Sequence, residues 1–113
     1  SSNLDTASIQ AIVPARATVS VVFGGQRLNW IRALSIRLCP LGEQDPNCGR
    51  EIFWRDPVPE NAGSSLGLNP SAIGDISDLL LQDRVNIQIK LEQLRSNPPA
   101  TMDIRVELEF HVQ

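Results

Sequence analysis

The side chains of this chain with chemistry to offer are two cysteines, one histidine and thirteen carboxylates. Cys39 and Cys48 bracket Pro40-Leu41-Gly42-Glu43-Gln44-Asp45-Pro46-Asn47, a stretch whose prolines, glycine and polar residues form a loop on turn chemistry alone. Three outcomes exist for the thiols: a disulfide, two free thiols, or half of a metal site. A zinc site needs four ligands, and the one other soft ligand is His111. A disulfide is the expectation, worth roughly 2–3 kcal/mol in the chain-entropy model. It places the domain in an oxidising compartment such as the periplasm or the extracellular space.

A catalytic centre is harder to assemble. His111 stands beside Glu109, which would suit a general base steadied by a carboxylate. The plainer reading is an exposed residue on the polar face of the last strand. No Gly-x-Ser-x-Gly elbow exists for a hydrolase. Gly24-Gly25 is followed by neither a further glycine nor a lysine, so it reads as a turn and not as a phosphate loop. Asp56 with Glu60, Asp75 with Asp78, and Glu107 with Glu109 are the carboxylate pairs a glycosidase would require. The first two fall where Asp serves turns and caps, and the third lies on a solvated strand face. Calcium at Asp75, Asp78 and Asp83 would need a loop spacing that this sequence does not have. The expectation is a non-enzyme, with no catalytic residue, metal or cofactor.

Interaction residues are the better prospect. Trp30, Arg32 and Trp54 are of the types that anchor protein interfaces; Leu81 ends the apolar triplet Leu79-Leu80-Leu81, for which burial of all three is the plainer reading and one residue left over for a partner the other. Both indoles also fit a core. Tyr is absent and the aromatic residues are few, which handicaps a carbohydrate platform.

The elements that must carry these residues are strands. Met102, Ile104, Val106, Leu108, Phe110 and Val112 alternate with polar residues, as do Val85, Ile87, Ile89 and Leu91. Arg95–Ala100 between them has two prolines, so the pair reads as a long antiparallel hairpin. Ala17–Phe23 and Leu28–Leu38 read as a second hairpin about Gly24-Gly25-Gln26-Arg27. A shorter first strand ends at Pro14, and Ile52-Phe53-Trp54 forms another short strand. Asp56–Asn69 reads as an irregular loop or a meandering edge strand. Asn69 and Pro70 could open a helix, and a turn or two is expected near Ser77–Leu81. The fold class is all-β: an antiparallel β-sandwich of about 6–8 strands, or a small closed barrel, with at most one short helix.

Size and charge narrow the partners. The 113 residues make one domain, 1–113, with a flexible tether over 1–7. A net charge of −3 argues against nucleic acid. No apolar run reaches the roughly 18 residues of a membrane span. Nine of the ten basic residues are Arg, which hints at a GC-rich bacterial genome.

The opening Ser1-Ser2-Asn3 suits the tether of a lipoprotein. With the segment Ile12-Val13-Pro14-Ala15-Arg16-Ala17-Thr18-Val19-Ser20-Val21-Val22, the chain resembles the pilotin lipoproteins of type III secretion. The resemblance implies a monomer on the periplasmic face of a Gram-negative outer membrane, anchored through a lipidated Cys upstream of Ser1. It implies that the domain binds the C-terminal segment of a secretin subunit and promotes its localisation and ring assembly. The alternative is a secreted or periplasmic ligand-binding or adhesive module.

Overall fold

The computed structural model describes residues 11–23, 25–40, 49–81, 85–99 and 101–113. The elements are β1 (Ile12–Val21), β2 (Ile31–Pro40), β3 (Arg50–Arg55), β4 (Ser65–Pro70), α1 (Ser77–Leu80), β5 (Val85–Leu94) and β6 (Ile104–Val112). All the strand pairings are antiparallel, in the order β5-β2-β3-β4-β1-β6. The halves β5-β2-β3 and β4-β1-β6 are joined by a short β3–β4 ladder, Phe53↔Pro70 and Trp54↔Asn69. The sheet curls there, so the halves face each other. Phe53 on β3 meets Phe110 on β6 with ring centroids 6.1 Å apart, although these strands are not neighbours in the sheet. The all-β antiparallel fold with one short helix agrees with the sequence.

The core fills the curl. Ala17, Val19, Leu34, Ile36, Phe53 and Leu66 are buried. Ile76 and Leu79, from the approach to α1 and from α1 itself, join the same cluster. Burying a side chain the size of Phe or Leu contributes about 1.5–3 kcal/mol, so these residues hold the two halves together.

Several pairings differ from the sequence expectation. The break at Pro14 is not a strand end. β1 is one strand of ten residues with a bulge between Pro14 and Arg16. The extra residue shifts the alternation from Ile12 and Pro14 to Ala17 and Val19, keeping both sets inward. Pro14 is tolerated because β4 pairs with β1 only over Ala17–Ser20, leaving one side of the strand without a ladder there.

Neither proposed hairpin forms. β1 pairs with β4 and β6, while β2 pairs with β3 and β5. β5 and β6 are the two outermost strands of the sheet. The segment 56–69 is not a loop throughout, because it supplies most of β4, an interior strand. Asn69 and Pro70 end β4 and do not open a helix. The helix lies where the periodicity placed it, at Ser77–Leu80.

Arg95 fastens the β5–β6 crossover. Its backbone N–H donates to Trp30 O at 2.8 Å. Its guanidinium donates to the carbonyls of Asn29 (3.2 Å), Ile31 (3.3 Å), Pro59 (3.4 Å) and Val58. The chain leaving β5 is thereby tied to the turns before β2 and after β3.

Candidate functional site

β5 pairs with β2 alone and β6 with β1 alone, so among the described residues each keeps one uncovered edge. A strand edge is a row of unpaired N–H and C=O groups, open to another chain. The pairs Leu34↔Leu91, Ile36↔Ile89 and Leu38↔Ile87 put the apolar row of β5 on the same face as the core. Leu34, Ile36 and Leu38 are buried, yet Ile87 is 54% exposed and Leu91 43%. The opposite edge repeats this at Ile104, 40% exposed against half-buried Val21, its pair on β1. The curl therefore has an apolar mouth flanked by two free edges.

A pocket of about 280 Å³ opens there, with Leu28, Trp30, Ile31, Ile89, Leu91 and Ile104 among its walls. Trp30 is half-buried and packs against the core. Its indole Nε1 is out of water and has no acceptor among the described residues. Such a donor carries a desolvation cost of about 1–3 kcal/mol until it is paired.

The interface candidates from the sequence do not meet. Trp30 lies at the mouth. Trp54 is on the other face of the sheet, paired with Ser35 and 37% exposed. It borders a polar depression of about 430 Å³ with Glu51, Asp56 and Glu92. The Ser35 hydroxyl donates to Glu92 Oε1 there, at 2.7 Å. Arg32 is exposed, and its carbonyl accepts from Val58 N–H. Leu81 follows α1 and is 44% exposed. Of the four, Trp30 alone belongs to the mouth. Strict alternation marks a half-buried strand whether or not a second layer covers it, so it does not single out the rows of β5 and β6 as a binding face.

Cys39 is fully buried and disulfide-bonded. Cys48 lies outside the described residues, as do Asp83 and the 1–7 tether. His111 and Glu109 are exposed on β6, where Glu109 pairs with Arg16 at 3.4 Å. Asp75 and Asp78 are occupied by other work. Asp75 accepts from the backbone N–H groups of Ile12 and Ser77, each at 2.9 Å. Those bonds, Ile12 first, hold its carboxyl below the ordinary range, with the Ser77 hydroxyl adding to them. Asp78 is lowered chiefly by its ion pair with Arg50, whose own pKa rises through the same contact. Among the described residues no cluster of His, Cys, Asp or Glu could hold a metal ion. No described helix is long and apolar enough to cross a membrane.

No protein-family model matches this chain, and neither a curated protein nor a solved structure does. The functional reading therefore rests on the geometry of the mouth and on the sequence.

Proposed function

We propose that this domain is a protein-binding module of the bacterial envelope that captures an extended segment of a partner at the open mouth of its curled sheet. The observation that carries this reading is the pair of free edges, β5 and β6, flanking inward-facing apolar rows that nothing described covers. An added strand would complete the ladder of one edge through main-chain hydrogen bonds and lay alternate side chains over the row. The disulfide at Cys39 supports an oxidising compartment. In its specific form the module is a pilotin, a lipid-anchored protein at the periplasmic face of the outer membrane, and the segment is the C-terminal part of a secretin. The Pro14-containing first strand supports that form.

The adhesive alternative would use Trp54, the more exposed indole, beside the carboxylates of the polar depression. A single indole offers little stacking surface, so the mouth is the stronger candidate.

The test is titration of the domain with peptides from secretin C-terminal regions, followed by NMR of the backbone amides. Binding with shifts concentrated on β5 or β6, weakened at least ~10-fold by Ile89→Lys, is expected, since a charge in a fully covered row is costly. Binding that shifts neither edge strand overturns capture at the mouth. An intact mass of the natural full-length protein showing no acylated Cys upstream of Ser1 overturns the pilotin form and leaves strand capture standing.

A further inference from the structure

Resting on the reading of the mouth as a strand-capture site, we infer that the pocket beside Trp30 is its specificity pocket. It takes one bulky, uncharged apolar side chain of the captured segment. The walls of the pocket are apolar throughout, with Val19, Leu34 and Met102 completing the set of Leu28, Trp30, Ile31, Ile89, Leu91 and Ile104. None of these side chains carries a charge, so an ionised ligand would lose its hydration without gaining a counter-ion. That disfavours a fatty acid, whose carboxylate would find no cation in the walls. Arg95, whose backbone N–H donates to Trp30 O, has its guanidinium committed to four carbonyls.

Size points the same way. A volume of about 280 Å³ lies at the lower end of small-molecule pockets, which run from roughly 300 Å³ upward. It suits one large side chain better than a whole ligand. A peptide strand supplies such side chains in series, one on this face at every second residue. The setting supplies the rest: Ile89 and Leu91 belong to β5 and Ile104 to β6, so a strand laid on either edge passes over the pocket. A half-buried Trp in the wall of an interface pocket is a common anchor of binding energy.

The experiment uses the Trp54→Phe domain, which leaves Trp30 as the one indole of the chain. The probe is a capped, uncharged seven-residue peptide alternating Thr with Val and carrying Leu at its centre. The expected result is a shift of the Trp30 indole resonances on binding, as a side chain packs against the ring, and an affinity loss of ~10-fold when the central Leu becomes Ala, in line with the apolar area withdrawn. Trp30→Phe shortens one apolar wall and is expected to weaken the same peptide by ~3-fold, in line with the apolar area withdrawn. Peptide binding that shifts the β5 or β6 amides but leaves the indole proton unmoved, and ignores the central residue, overturns the pocket and spares the capture reading. Absence of binding by any peptide overturns both. Tighter binding of decanoate than of the peptide, or self-association that shifts the indole proton without peptide, overturns the choice of occupant. Varying the peptide needs no change at Trp30, so the inference is tested even if Trp30→Phe fails to fold.

Discussion

The backbone of Ile12 is held by Asp75 and its neighbour much as an adjacent strand would hold it. Ile12 N–H donates to Asp75 Oδ1 at 2.9 Å, and Ile12 O accepts from Ile76 N–H at 2.8 Å. On its other side Ile12 pairs with Val112 of β6. β4 does not reach this far along β1, so a carboxylate and one amide take the place of a missing strand. The same carboxylate accepts from Ser77 N–H and Ser77 Oγ and so sets the entry to α1. One side chain thereby fixes the helix against the first strand.

This clamp is sensitive to acid. The Asp75 carboxyl is lowered from its ordinary value, first by Ile12 N–H and then by Ser77. A depressed folded pKa means that the stabilisation is complete above the unfolded value, near 3.9, and is lost as pH falls through the folded one. Asp75→Asn keeps an acceptor oxygen but removes the charge. It is expected to lower the urea midpoint at pH 7 and to match the parent more closely below pH 3. Equal destabilisation at both pH values would contradict the role given to the charge.

Arg95 should matter more than its exposure suggests. Its guanidinium satisfies four carbonyls from two different turns. Arg95→Met retains much of the aliphatic stem and removes the donors, at an expected cost of about 2 kcal/mol. Arg95→Lys, with a point charge in place of the planar fork, should recover less than half of that. Chemical denaturation of the two variants gives the comparison, and neutrality of Arg95→Met would contradict this account.

Gly49 has no tolerated replacement. Its φ is +72°, and a Cβ there would lie 1.7 Å from Leu38 O and 2.9 Å from the Cα of disulfide-bonded Cys39. The obstructing atoms are backbone, so no rotamer change relieves them. Gly49→Ala is expected to cost at least about 3 kcal/mol. By contrast, Gly63→Ala meets nothing within 4 Å and should stay within about 0.5 kcal/mol of the parent. Thermal melts of the two variants side by side check the contrast.

The apolar edge has a consequence for solubility. Ile87, Ile89 and Leu91 form an exposed row beside an open ladder, the pattern that invites edge-to-edge association. Ile87→Lys puts a charge at the most exposed of the three. It is expected to raise the concentration at which the isolated domain begins to associate, with stability changed by less than about 1 kcal/mol. Light scattering across a concentration series, paired with a urea melt, reads both quantities.

Much of the local structure was legible in the chain because it is written in short periods. Ile104 to Val112 alternate over a whole strand, and Ile76 and Leu79 fall three apart on the buried side of a short helix. A loop of prolines and glycine between two cysteines suggested a disulfide without reference to the rest of the fold. Strand partnership is a different kind of information. The inner row of β5 matches that of β2 as well as it would match β6, since any apolar face can lie beside any other. Which edges meet is decided by the twist of the assembled sheet and by ties far apart in sequence, such as Arg95 to Val58 and Ile12 to Asp75. For the same reason the sequence could show that Ile89 and Leu91 face inward, but not that the sheet would leave them uncovered. Trp30 stood out by type alone, as a candidate for either an interface or the core. Its place at the mouth, with an unpaired indole N–H, depends on β2, β5 and β6 converging around it.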